Sequence, residues 1–154
     1  MFSAIIDFAN VLLGALLVGA MFGVWLLFNP SGLNASNYVA LHQRGVRTLD
    51  LAMPALGAAT ILVTITAALL GRGDRTRLWL LILTAGCFVA AGLITKFLNQ
   101  PINAIVITWS TDSPPANWTA LRDEWWRWHL MRMIAGLGGL SLLIAATLQR
   151  GGMR

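Results

Sequence analysis

Charge is what this chain has least of. Of its 154 residues only 11 are Lys or Arg and 6 Asp or Glu, against 57% hydrophobic residues and a mean hydropathy of +0.71. A soluble globular domain carries charge on about a quarter of its residues, so that class is excluded. Basic runs are missing too, and the cations divide between the two ends of the apolar spans, so the net charge of +5 is no nucleic-acid footprint. The single cysteine, Cys87, rules out an internal disulfide and has no metal-ligand spacing around it, so it reads as a buried, inert thiol. No Lys or Arg precedes the first apolar run, the run is too long for a signal core, and no small-residue cleavage site follows, so it reads as a retained helix. Soluble domains, linkers, low-complexity tracts and a convincing repeat between the halves are absent, which leaves a single four-span domain over 1–154.

What is present is four windows free of Asp, Glu, Lys and Arg: 8–28, 51–71, 78–95 and 133–149. Each approaches the roughly 20 residues that cross a hydrocarbon core. The fold class is therefore all-α, an integral membrane four-helix bundle. Arg72, Arg75 and Arg77 join helices two and three, and Arg150 and Arg154 end the chain. The positive-inside rule puts that connection and both termini in the cytoplasm, with a bacterial cytoplasmic membrane as the expected setting.

Helix two is expected to run from Ser36 or Asn37 to Gly71 with a kink at Pro54, its first turns standing above the bilayer. Helix three is expected over 76–99, broken at Pro101. Residues 102–109 are too short to span and read as a re-entrant or interfacial segment before helix four. Asn34-Ala35-Ser36 and Asn117-Trp118-Thr119 match the glycosylation pattern by chance, with Ser36 and Asn117 as helix caps. Gly19 and Gly23, continued back to Gly14, permit close helix approach. Packing within the bundle is the favoured use, a homo-oligomer the alternative.

Residues three, four and seven apart share a helix face. Helix two then carries Gln43, Arg47, Asp50, Pro54 and Gly57 on one stripe, and helix four carries Arg122, Trp125, His129, Arg132, Gly136 and Gly139. Lys96, Asn99 and Asn103 fall at similar spacing at the end of helix three. All three stripes lie toward the outer side, where polar groups turn from lipid toward each other, which predicts one polar pocket. Counting from the opposite ends puts His129, Arg132, Lys96, Asn99, Asp50 and Arg47 in one layer. Asp50 with Arg132 or Lys96 is the expected buried ion pair, and His42 joins only if the top of helix two leans inward. Five of the seven Trp lie between 95 and 132. Trp125 shares the pocket face, while Trp118, Trp126 and Trp128 read as interfacial anchors.

Met53-Pro54 on a second helix with polar residues before it, Asn99-Gln100-Pro101-Ile102-Asn103 after helix three, Arg122-Asp123-Glu124-Trp125, and His129 with Arg132 together resemble the anthrone-oxygenase-like family of small membrane proteins. The resemblance covers most of the chain in layout and the second half in motif. It implies a membrane-embedded oxygenase or oxidase of a small aromatic or lipophilic compound, using molecular oxygen without an obvious metal motif. No cofactor is required on that reading. Such chemistry needs a base, for which His129 is the candidate, and donors that hold the resulting anion, namely Arg132, Asn103 and Asn99. Trp125, Arg122 and Gln43 would bind substrate, with Arg47, Asp50 and Lys96 behind them.

Two other readings compete. His42 and His129 could be axial haem ligands, or could hold copper with Met131 or Met133. A non-enzymatic small membrane subunit or lipophile-binding protein would use the polar cluster only to hold helices together. Expected partners are membrane lipid and a small lipophilic substrate.

Overall fold

The chain is all-helical: α1 (Phe2–Leu27), a 3-10 turn (Pro30–Gly32), α2 (Ala35–Leu49), α3 (Ala52–Leu70), α4 (Arg75–Ile94), a π-helical turn (Thr95–Asn99), α5 (Gln100–Val106) and α6 (Trp118–Gly151). The structure, a computed structural model, describes residues 2–151; Arg154 lies outside them. Four stretches, Phe2–Gly32, Ala52–Leu70, Arg75–Val106 and Trp118–Gln149, are long and apolar enough to cross a membrane. Large apolar side chains such as Phe8, Leu62, Phe97 and Ile134 cover their outward faces. The protein is a four-span helical membrane bundle. Within it α4 lies along α6, α3 bridges α1 and α4, and α1 also packs on α6.

The core is tightest where glycine removes a side chain. A methyl group at Gly139 would stand 3.0 Å from both Cys87 Cβ and the Phe88 ring, and one at Gly14 would stand 3.1 Å from Leu143. At Gly19 and Gly23 it would meet nothing within 4 Å. Of the glycines expected to permit close approach, Gly14 does so, joined by Gly136 and Gly139 of α6. Here α1 and α4 are also joined by a buried ion pair, Asp7 Oδ1 to Arg77 Nη2 at 2.6 Å. The Arg77 guanidinium lies so close to Gly71 that a Cβ there would collide with it. Arg77, read from sequence as an interfacial charge, is thus part of the core.

Pro54 kinks helix two as expected, whereas Pro101 acts differently from expectation. The hydrogen-bond ladder of helix two is interrupted a turn before Pro54, at Asp50 and Leu51, whose backbone stays helical, so α2 and α3 meet at a kink. The Pro54 ring excludes the carbonyl four residues back, that of Asp50, and the proline then fits the first turn of α3, whose N–H groups have no intrahelical partner anyway. Asp50 N–H closes α2 on the Val46 carbonyl at 2.9 Å. At Pro101 the helix does not break. The π-helical turn, where Gln100 N–H reaches the Thr95 carbonyl, absorbs the missing donor, and α5 carries the axis on to Val106. Most of the segment expected to be re-entrant is therefore the last two turns of the third span, and only its end forms a turn. Asn34 rather than Ser36 caps α2, its side chain accepting from Asn37 N–H at 2.9 Å.

Candidate functional site

Because α2 is freed from α3 by the hinge, it bends back over the Trp-rich end and docks on α5. The Gln43 carboxamide latches it there, donating to the Val106 carbonyl at 3.0 Å and the Trp109 carbonyl at 2.8 Å. The Val106 carbonyl also accepts from Trp109 N–H at 3.1 Å, so Gln43 fastens α2 to the turn that closes α5. Gln43 therefore positions an element and does not line the cavity described below.

Docking brings His42 down beside the α5 and α6 residues. Trp125 Nε1 donates to Asn103 Oδ1 at 2.8 Å, and His42 Nε2 lies 3.1 Å from the same oxygen. An indole nitrogen can only donate, so it fixes this Asn103 atom as the oxygen. His42 Nε2 must then carry its proton. The remaining nitrogen, Nδ1, is sealed by protein and has no partner among the described residues. Burial pushes the His42 pKa down to about 4, against the opposing bond to Asn103. Tyr38, one turn earlier, is fully buried, lies 5.3 Å from the His42 ring, and has its phenol pushed up by the same cause.

A second cluster adjoins the first through Trp125. The His129 ring lies parallel to the Trp125 indole at 5.3 Å and stacks on Trp126 at 5.5 Å. Trp126 thus belongs to the buried stack and is no simple interfacial anchor. Arg132 donates to His129 Nδ1 from Nε at 3.2 Å and Nη2 at 3.0 Å, and from Nη1 to Thr95 Oγ1 at 3.2 Å. Guanidinium has no acceptor, so His129 Nδ1 offers its lone pair and the ring is the neutral Nε2–H tautomer. Its Nε2 is sealed by protein on the side of the Met21 backbone. His129, assigned from sequence as the base, has its only lone pair occupied.

Against both clusters lies a cavity of about 510 Å³, a size typical of small-molecule sites. Met21 and Val24 of α1 and Phe28 just after it make much of its apolar wall, and Trp125 closes one side. Asn103, Gln100, Thr95 and Arg132 bring polarity to it. It opens between α1 and α2, which barely touch, where Leu27 and Leu41 are exposed. A lipophile can therefore reach it sideways. The Asn103 Nδ2 has no partner among the described residues, and the Arg132 fork retains N–H groups beyond those used, so the organised polar pair facing this space is a pair of donors. A smaller cavity of about 260 Å³ shares Thr95, Gln100 and Arg132 and reaches Lys96.

The remaining sequence candidates scatter. Asn99 is fully buried and donates to the Trp125 carbonyl at 3.0 Å, which ties the π turn to α6 away from the cavity. Arg122 pairs with Asp123 at 2.8 Å and lies over Trp118, not in the pocket. Trp128 carries Arg127 over its ring at 4.9 Å. Arg47 is exposed and outside the cavity wall, whereas Asp50 is in the wall at the hinge. The expected ion pair of Asp50 with Arg132 or Lys96 does not form; among the described residues the ion pairs are Asp7 with Arg77 and Arg122 with Asp123. Asp50 and Arg132 line the same cavity, but His129 and Thr95 take up the Arg132 guanidinium. Thr95, Gln100, Phe28 and Tyr38 were not singled out from sequence. Tyr38, the only tyrosine, stands four residues before His42, and that spacing was the available signal.

The two histidines do not suit a shared haem or copper. Each has one nitrogen committed to a hydrogen bond and the other covered by protein, and the Trp125 indole packs against both rings, at 5.0 and 5.3 Å. A planar macrocycle held by both would have to displace it.

No curated protein and no solved structure matches the chain. The sequence profile described as anthrone oxygenase matches residues 42–142, a stretch that starts at His42 and takes in Asn103, Trp125, His129 and Arg132. With that match covering well over half of its length, the chain belongs to the anthrone oxygenase family.

Proposed function

We propose that the protein is a membrane-embedded oxygenase of a small, planar, lipophilic substrate that bears a ring carbonyl or phenol oxygen. The observation that carries this reading is the pairing of Arg132 and the Asn103 amide on a mostly apolar cavity open to the bilayer side. Donors held rigidly in a low-dielectric site stabilise an oxyanion or enolate far better than water does. Arg132 cannot swing away, because His129 and Thr95 hold three of its N–H groups. Asn103 cannot turn, because Trp125 and His42 hold its oxygen. Trp125 offers an aromatic wall for a flat ring system. Loss of a proton from a carbon conjugated to the held oxygen leaves an electron-rich anion, which molecular oxygen can oxidise.

The reaction class is oxidation of an activated CH2 to a carbonyl, with oxygen reduced to water. A bundle whose polar residues served only to hold helices together would fill its own interior, and the open 510 Å³ stands against that role. Exposed Arg72 and Arg75 beside the α3–α4 turn support a cytoplasmic placement of that end and of both termini, in a bacterial cytoplasmic membrane.

The test is oxygen uptake and quinone absorbance with anthrone as probe, using protein purified in detergent or lipid nanodiscs. Turnover well above the spontaneous rate, coupled one oxygen to one quinone, is the expected result. Oxidation at only the protein-free rate, for anthrone and for related hydroxylated tricyclic ketones, rejects the proposal.

A further inference from the structure

We infer that Asp50 is the general base of this site, a role that rests on the oxygenase reading above. A base must offer a lone pair to the cavity. Arg132 and Arg44 line it but only donate, and the Gln100 and Asn103 amides are not basic. His129 gives its lone pair to Arg132. His42 turns Nε2–H to Asn103, and its other nitrogen is sealed. Asp50 is the cavity-wall carboxylate, it is exposed, and its side chain makes no hydrogen bond or ion pair among the described residues. The hinge explains its availability. Asp50 caps the C-terminus of α2 at the Pro54 kink, and there it stands in the cavity wall beside Pro54 while Arg47 stays outside it.

In the first step the Asp50 carboxylate takes a proton from the substrate CH2, and the C–H electron pair remains as an enolate whose oxygen rests on Arg132 and Asn103. Oxygen accepts this pair, a C–O bond forms, and the Asp50 proton returns to the peroxide. Removal of the second C–H proton by Asp50 forms the carbonyl as the O–O bond breaks, and hydroxide leaves and takes that proton as water. The sum is CH2 + O2 giving C=O + H2O.

Anthrone deuterated at its methylene carbon, incubated without oxygen, separates the base from the oxygenation. Wild type is expected to accelerate deuterium loss to solvent. Asp50→Asn should slow that loss by about 10²-fold or more at unchanged anthrone affinity, and Asp50→Glu should restore part of it. Affinity is read from quenching of tryptophan fluorescence, which also reports a folded pocket. Exchange by Asp50→Asn at the wild-type rate overturns the assignment even if oxygenation persists. Failure of wild type to accelerate exchange overturns it as well. Wild-type exchange that needs Asp50 but leads to no oxygen uptake supports the base and rejects only the oxygenase reading.

Discussion

The two ends of this bundle are made from the same four spans yet solve opposite problems. At the end bearing Asp7 and Arg77 the helices are regular and glycines let side chains interlock, as at Gly139 against Phe88. At the Trp-rich end lie the 3-10 turn, the Asp50–Leu51 kink and the π turn, whereas the short turn between α3 and α4 lies at the other end. Regular helices satisfy their own backbone, so they can close-pack in lipid. Irregular backbone must find other partners, here Gln43 at the Trp109 carbonyl, and is tolerated where it borders protein or a cavity. One end supplies rigidity and the other supplies space and directed donors.

The comparison breaks first at Arg132. Arg132→Gln should lower kcat by about 10²–10³-fold while circular dichroism stays helical, as for loss of an oxyanion donor. Unchanged turnover would mean that the polar end has no catalytic clamp. Acid is the next lever. Burial lowers the His42 pKa from 6.5 to about 4, so between these values the unfolded chain binds a proton that the folded chain refuses. Stability conferred by neutral His42 is therefore complete above pH 6.5 and lost as pH falls toward 4, by on the order of 3 kcal/mol. A thermal midpoint in detergent that falls over this window in wild type, and much less in His42→Gln, is the expected measurement.

A contrast between glycines sharpens the difference between the ends with smaller effects. Gly139→Val should destabilise by about 1–3 kcal/mol through overpacking against Cys87 and Phe88. Gly23→Ala, where the new methyl meets open space, should leave the thermal midpoint unchanged or raise it, by up to about 1 kcal/mol from helix propensity. Equal costs at both positions would show that packing density does not separate the two ends.

How far the site was legible follows from which residues repeat with helix period. Trp125, His129 and Arg132 lie three and four apart on one regular helix, and their shared face was readable because α6 continues through them. Asn103 met Trp125 for the same reason once the turn held through Pro101. Gln43 and Arg122 were misplaced because face sharing within one helix does not say which neighbour that face meets. The Val106 and Trp109 carbonyls at the turn after α5 claim Gln43, and Asp123 with Trp118 claims Arg122. His129 kept its place but changed its chemistry, since the direction of its bond to Arg132 depends on side-chain rotamers that no spacing encodes.

The sequence by itself determined that this is a four-span helical membrane protein, because charge-free windows of bilayer length leave a chain no cheaper way to satisfy its backbone. It also determined that the polar residues gather at the Trp-rich end, since lipid rejects them elsewhere. Only the tertiary structure decided that α2 docks on α5, that His42 meets Asn103, and that Asp50 stands at a cavity without an ion pair among the described residues. Those outcomes depend on competition among distant partners for a few hydrogen bonds, and the winner is set by how the helices pack.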